Sequence, residues 1–135
     1  MIVNAKEMID NNIYSCIVVK EDKVLHSVLG KGIRPLLNLY NNNRKDLKDS
    51  FLADKIIGKA AAIIIIASKI KHVYGYIVSK NALEMLSECG IKVEYNELTD
   101  KIYNAKKTDM CPLEKIVMSC NNINDGLESI NSFIN

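Results

Sequence analysis

The longest apolar stretch of the chain lies near its middle, and the predicted fold is organised around it. Residues 60–67 are all alanine or isoleucine, with four isoleucines in a row. β-Branched isoleucines suit a strand, but the pattern over Ala53–Lys71 is longer than an ordinary strand, lacks proline and contains one glycine. We therefore predict a central helix that is apolar on nearly every side and buried within a soluble domain. Its apolar run is far shorter than the roughly 20 residues needed to cross a bilayer.

Shorter apolar patterns on both sides of this stretch predict alternating strands and helices. Two runs of strand length separated by Glu21-Asp22 predict a β-hairpin, and the segment Arg44–Leu52 is predicted to be a link. The other predicted elements are helices Ala5–Asp10, Pro35–Tyr40, Asn81–Cys89, Pro112–Ser119 and Asp125–Phe133, and strands Ser15–Val19, Lys23–Leu29, His72–Val78, Ile91–Tyr95 and Lys101–Ala105. This order predicts an α/β protein in which a mixed sheet lies between helices in a three-layer α-β-α arrangement.

Composition narrows the class of protein. A chain of 135 residues suits one domain, here residues 1–135. The formal charge of +2 and the lack of a basic stripe with interleaved aromatics argue against a nucleic-acid partner. No signal peptide is visible, and the four cysteines have no Cys-x-x-Cys spacing, so we expect a cytoplasmic protein with reduced thiols and no membrane partner.

The start of the predicted central helix is the first candidate site. Lys55 and Lys59 would share one helix face near the free N–H groups that favour an anion. Asp54 would orient a ligand, and Gly58 would let a ligand or backbone approach closely. In the simpler interpretation, Asp54 caps the helix and the lysines reach solvent.

A glycine turn before the second helix is the next candidate. The sequence Gly30-Lys31-Gly32 enters a helix near Pro35, and its backbone N–H groups could bind an anion. The string does not match the P-loop or the dinucleotide fingerprint. The simpler interpretation is a tight strand-to-helix turn.

Cys111 and Glu114 flank the start of a later helix. A thiol at a helix N-terminus can have a lowered pKa and become nucleophilic, although a buried structural thiol beside a proline is the simpler interpretation. The cysteines and histidines have no paired spacing of the kind that zinc needs, so we expect no bound metal and no cofactor.

Five strings carry a resemblance to a known family. They are GKGIRPLL at 30–37, ADKIIGKAAA at 53–62, VYGYIVSKNALEML at 73–86, GIKVEY at 90–95 and CPLEKIV at 111–117. Together they resemble DUF1893, an uncharacterised bacterial and archaeal family, over almost the whole chain. The resemblance implies a cytidine deaminase-like fold. The zinc ligands and catalytic glutamate of true deaminases are missing, however, because residues 54–56 read DKI and residues 111–114 read CPLE.

Two functions of different classes follow. The first is binding of a small anionic or nucleotide-like molecule. Its predicted ligand-binding residues are Gly30, Lys31, Gly32, Lys55, Gly58, Lys59 and Glu114, with Asp54 as base and Cys111 as nucleophile if a reaction occurs. The second is a non-catalytic interaction or regulatory domain. A homo-oligomer is compatible with either.

Overall fold

The structure is a computed structural model that describes residues 2–103, 106 and 108–134. Its sheet has five strands, β1 (Cys16–Lys20), β2 (Lys23–Val28), β3 (Phe51–Ile57), β4 (His72–Ser79) and β5 (Lys92–Thr99). Their order across the sheet is β2-β1-β3-β4-β5. β1 pairs antiparallel with both β2 and β3, whereas β3, β4 and β5 run parallel. The predicted mixed sheet is confirmed.

Seven helices lie in the described part of the chain. They are α1 (Ile2–Asp10), α2 (Arg34–Asn42), α3 (Arg44–Leu47), α4 (Lys59–Ser68), α5 (Lys80–Glu88), α6 (Pro112–Met118) and α7 (Ile123–Ile134). Local sequence explains several ends. Ser79 caps α5 by accepting a hydrogen bond from the N–H of Ala82. Proline stands in the first turn of α2 and of α6, where its missing N–H costs nothing.

Successive side chains of a strand point to opposite faces of the sheet, and each face packs against its own apolar core. On β1 and β3, Ile17, Val19, Phe51 and Ala53 pack with Ala5 and Ile9 of α1. The intervening residues, among them Val18 and Leu52, face a larger core formed with α2, α4, α5, α6 and α7. The sheet is therefore covered by α1 on one face and by the other helices on the opposite face.

The helix predicted within Ala53–Lys71 is correct only over residues 59–68, and both of its ends differ. Residues 53–57 belong to strand β3, and the helix begins at Lys59 after Gly58. The sequence pattern hid this boundary because β3 is buried on both faces at Leu52 and Ala53, so its apolar residues do not alternate with polar ones. The true α4 is buried almost all round, as predicted, with Ile63, Ile64 and Ile65 at most 1% exposed.

Three smaller boundaries also differ from prediction. The segment predicted as a link holds α3 and the start of β3, and β5 extends to Thr99 rather than ending at Tyr95. In Lys101–Ala105, predicted as a short strand or an extended piece, Tyr103 forms an isolated bridge with Met110, and residues 104 and 105 lie outside the described residues. No helix among the described residues has the length and hydropathy of a membrane span.

Candidate functional site

The N-terminus of α4 is occupied by a carboxylate from within the chain. The backbone N–H groups of Lys59 and Ala60 donate to Oε1 and Oε2 of Glu114, over 2.8 Å and 2.9 Å. Glu114 lies on α6 and is only 8% exposed. A helix N-terminus attracts anions through its free N–H groups and its dipole, and here Glu114 satisfies that demand. The carboxylate thus takes the position that we predicted for an external ligand.

Gly58 makes room for this contact. A Cβ atom at Gly58 would lie 2.2 Å from Oε1 of Glu114 and 2.8 Å from Cγ1 of Ile102. The backbone of Gly58 is extended, with φ −106° and ψ −168°, so the small side chain is required by space and not by an unusual φ. The predicted close approach at Gly58 is therefore an approach of Glu114 and Ile102.

Lys59 completes a reciprocal contact between the two helices. Its Nζ donates to the carbonyl oxygens of Met118 and Cys120, at the C-terminal end of α6. Glu114 therefore caps the start of α4 while Lys59 caps the end of α6, each charge matching the local helix dipole. The prediction that Lys55 shares a helix face with Lys59 is wrong, because Lys55 lies on β3.

Asp54 is a buried carboxyl group on β3 and does not cap the helix. It pairs with Cys16 across the antiparallel strands β1 and β3, and its Oδ1 accepts a 2.7 Å hydrogen bond from the N–H of Lys55. Burial raises the pKa of Asp54 to about 7, although backbone hydrogen bonds from Lys55 and Ile56 act in the opposite direction. Burial, and then the Asp54 charge, raise the pKa of the Cys16 thiol well above its ordinary value. Burial therefore shifts the titration of both Asp54 and Cys16 towards the neutral form.

The two residues predicted for catalysis make separate contacts. Cys111 immediately precedes α6, as predicted, and its N–H donates to the carbonyl oxygen of Ile102. Its thiol is half-buried against the larger core. No hydrogen bond joins Cys111 to Asp54, both of which are described residues. Within the described ranges, no group of three or more His, Cys, Asp or Glu side chains has the geometry of a metal site.

The glycine turn between β2 and α2 is held from both sides. The Ser15 hydroxyl donates to the carbonyl oxygen of Gly30 over 2.9 Å and accepts from its N–H over 3.2 Å. A Cβ atom at Gly30 would lie 2.7 Å from Cγ of Pro35. Gly32 has φ +60°, in the left-handed region that glycine adopts easily. The turn is therefore fixed in place, with Lys31 exposed between the two glycines.

This turn borders a cavity of about 420 Å³, which we call the β2–α2 cleft. Its lining residues are Val28, Leu29, Gly30, Lys31, Arg34, Pro35, Leu37, Asn38, Asn41 and Ile134. Lys31 and Arg34 are exposed and have no ion-pair partner among the described residues. None of the described residues that line the cleft carries a carboxylate. The cleft is thus cationic.

Two features of α2 add to this positive character. In the part of the chain that the structure describes, no side chain caps the N-terminus of α2, and no acidic residue lies in its first turn. Asn38 and Asn41 follow Arg34 at spacings of four and seven residues, which places the three side chains along one face of the helix. Arg34, Asn38 and Asn41 are site residues that the sequence did not predict. Their spacing relative to the glycine turn was the available signal.

A second, larger groove lies between α6 and α7. It has a volume of about 600 Å³ and is lined by Ile116, Asp125, Glu128, Ser129, Ser132 and Phe133. It carries two carboxylates and no cationic side chain, so it is unsuited to an anion. The β2–α2 cleft is the better candidate for the anionic ligand that the sequence predicts.

Comparison with known proteins identifies a family but no activity. The family model described as "Domain of unknown function (DUF1893)" matches residues 4–134. Among solved structures, the fold is similar to the crystal structure of a DUF1893 family protein, TM1506, from Thermotoga maritima. That match has a TM-score of 0.88 and 23% sequence identity, and it covers 98% of this chain and 88% of the other. No curated protein matches the chain.

Proposed function

Because the chain belongs to the DUF1893 family, whose function is unknown, we propose a function from its own geometry: it binds a small anionic molecule in the β2–α2 cleft. The observation that carries this proposal is the pair of cations Lys31 and Arg34, which have no ion-pair partner among the described residues, in a cavity whose described lining carries no carboxylate side chain. Arg34 presents a planar fork that can hold a phosphate or carboxylate through two hydrogen bonds.

The held conformation of the glycine turn supports the same proposal. Ser15 and Pro35 fix Gly30, so the backbone beside Lys31 needs little ordering when a ligand arrives. Affinity is higher when a binding site loses little conformational entropy on association. The cleft volume also lies within the range of about 300–1,000 Å³ that is usual for small-molecule sites.

The site at the start of α4 is a weaker candidate. Glu114 already satisfies the first N–H groups of α4, and Lys59 is bonded to the end of α6. An external anion would have to displace a buried carboxylate. Catalysis by Asp54 and Cys111 stays a prediction, as do a nucleotide-like ligand and the cytidine deaminase-like fold.

The test is a titration with inorganic phosphate, ribose 5-phosphate and citrate, followed by thermal unfolding and calorimetry. We expect at least one anion to stabilise the protein. Lys31→Ala or Arg34→Ala should weaken its binding by about 1.5–3 kcal/mol, the range for hydrogen bonds to charged groups. The unliganded melting temperature should barely move, because both side chains are exposed.

Matched controls make this result specific. Lys48→Ala removes an exposed lysine outside the cleft and should leave binding unchanged. If no anion binds, or if binding is lost in Lys59→Ala but kept in Lys31→Ala and Arg34→Ala, the proposed cleft function is wrong.

A second candidate function, an interaction domain, is favoured by one observation. Strand β2 forms an edge of the sheet, and its apolar residues Val24 and Leu25 are 43% and 38% exposed. Exposed apolar edge strands tend to pair with another chain. Light scattering over a range of concentrations would reveal a homo-oligomer, and Val24→Lys should then dissociate it.

A further inference from the structure

The β2–α2 cleft is not only cationic, because much of its lining is apolar. Val28, Pro35 and Leu37 form part of the lining beside the charged turn. Leu29 and Ile134 also line it, and Leu29 is 67% exposed. Leu29 is exposed to solvent beside the N-terminus of α2. It therefore offers apolar surface to a ligand that extends beyond Lys31 and Arg34.

The polar face of α2 sets a minimum ligand length. Arg34 and Asn41 are seven residues apart, which corresponds to roughly 10 Å along the helix axis. A bare phosphate or carboxylate ion would contact the Lys31 and Arg34 end and leave the rest of the cleft filled with water. The side chain of Asn41 has no hydrogen-bond partner among the described residues, so its amide is available at the far end.

We propose that the ligand of this cleft is a small soluble amphiphilic anion, with a phosphate or carboxylate group at Lys31 and Arg34 and an apolar body against Leu29, Leu37 and Ile134. This inference rests on the proposed function, since it takes the anion site as given and specifies the body of the ligand. The apolar body removes Leu29 from water, and the side-chain amide of Asn41 bonds a polar atom at the far end of the ligand. The Oδ1 of Asn38 already accepts a hydrogen bond from Asn42, so Asn38 offers the ligand only its N–H groups.

Four probes test the anionic group and the apolar body of the ligand separately. Two of them are phosphate esters of comparable size, ribose 5-phosphate with a polar body and phenyl phosphate with an apolar body, and the two smaller probes are inorganic phosphate and uncharged phenol. Each is titrated into the full chain by calorimetry. We expect phenyl phosphate to bind about tenfold more tightly than ribose 5-phosphate, a difference equivalent to burial of one or two methylene groups. Phenol should bind far more weakly than phenyl phosphate.

Leu29→Asn provides the matched variant, because a highly exposed side chain can be changed with little risk to folding. It should lower the affinity for phenyl phosphate several-fold and leave ribose 5-phosphate unaffected. Val3→Asn is the control, since Val3 is 65% exposed and lies on α1, on the other side of the sheet.

The failures of the two proposals are distinguishable. Equal affinity for phenyl phosphate and ribose 5-phosphate would contradict the proposal that the ligand is amphiphilic, but it would not contradict the proposed anion site. Absence of binding by any phosphate, or phenol binding as tightly as phenyl phosphate, overturns both. Binding to phosphatidic acid vesicles without binding to phenyl phosphate overturns a small soluble ligand in favour of a lipid surface.

Discussion

At the scale of single residues, Asp54 is the group whose environment departs most from what the sequence suggested. Its predicted place at the start of a helix made it either a group that orients a ligand or a helix cap, whereas β3 carries it into the sheet, 7% exposed and opposite Cys16. A sequence pattern cannot show which face of a strand a carboxylate takes when both faces are buried. Gly58 predicted its own surroundings more reliably than Asp54 did. A glycine next to an alanine-rich helix indicates that another group approaches its backbone closely.

The protonation of Asp54 predicts a pH-dependent stability. Burial raises the pKa of Asp54 from 3.8 to about 7 in the folded state. Between these values the unfolded chain releases the proton while the folded chain keeps it, so the free energy of unfolding falls as pH rises, by up to about 1.4 kcal/mol per pH unit. Asp54→Asn should remove this fall and be the more stable protein at pH 8.

Urea unfolding at pH 5 and pH 8 checks this expectation. Asp49→Asn is the control, because Asp49 is exposed and its left-handed backbone suits asparagine. A wild type and an Asp54→Asn variant with parallel pH dependence would show that Asp54 is ionised in the folded state at neutral pH.

Gly58 gives a second prediction at this scale. Gly58→Ala should destabilise the protein by about 1–3 kcal/mol, the usual cost of overpacking, because the new Cβ meets Glu114 and Ile102. Thermal unfolding measures the effect. In a Glu114→Ala background the same change should cost less, because its nearest obstacle is gone. An equal cost in both backgrounds would place the obstruction elsewhere.

At the scale of elements, α4 and α6 are joined by two charged caps of opposite sign. The sequence predicted both helices, yet it gave no sign that Glu114 reaches Lys59 from 55 residues away. Such contacts depend on packing, whereas propensity and periodicity report only on neighbours along the chain. The hairpin and α5 were predictable because their signals, a polar turn and a serine cap, are local.

Removing the charge of Glu114 or of Lys59 should weaken the packing of α4 against α6 and lower the free energy of unfolding. Glu114→Gln keeps the size of the side chain but removes the charge, and we expect a loss of about 1–3 kcal/mol of stability. Lys59→Met should cost about 0.5–1.5 kcal/mol through its bonds to the end of α6. The exposed Glu84→Gln on α5 should change stability by less than about 0.5 kcal/mol.

Hydrogen exchange adds a local readout to these unfolding measurements. In Glu114→Gln, the amides of Lys59 and Ala60 should exchange faster, whereas those in the middle of β4 should follow global stability alone. Unchanged protection at Lys59 and Ala60 would contradict the capping role of Glu114.

At the scale of the whole molecule, the charges that look alike in sequence have different environments. Lys59 is bonded within the fold, and Lys31 and Arg34 face an open cleft. The element order and the mixed sheet could be predicted from the sequence. The sequence could not show which cationic side chains are hydrogen-bonded within the fold and which face solvent, because this depends on which helices pack together.

The central claim is that the anion site lies in the β2–α2 cleft and not at the start of α4. Nuclear magnetic resonance of the ¹⁵N-labelled protein during titration with inorganic phosphate tests it most directly, because each backbone amide reports on its own surroundings. We predict saturable shifts at the amides of Lys31, Gly32 and Arg34, with Lys59 and Ala60 unchanged. Shifts at Lys59 and Ala60 without shifts in the glycine turn, or no saturable shift at any amide, would contradict the claim.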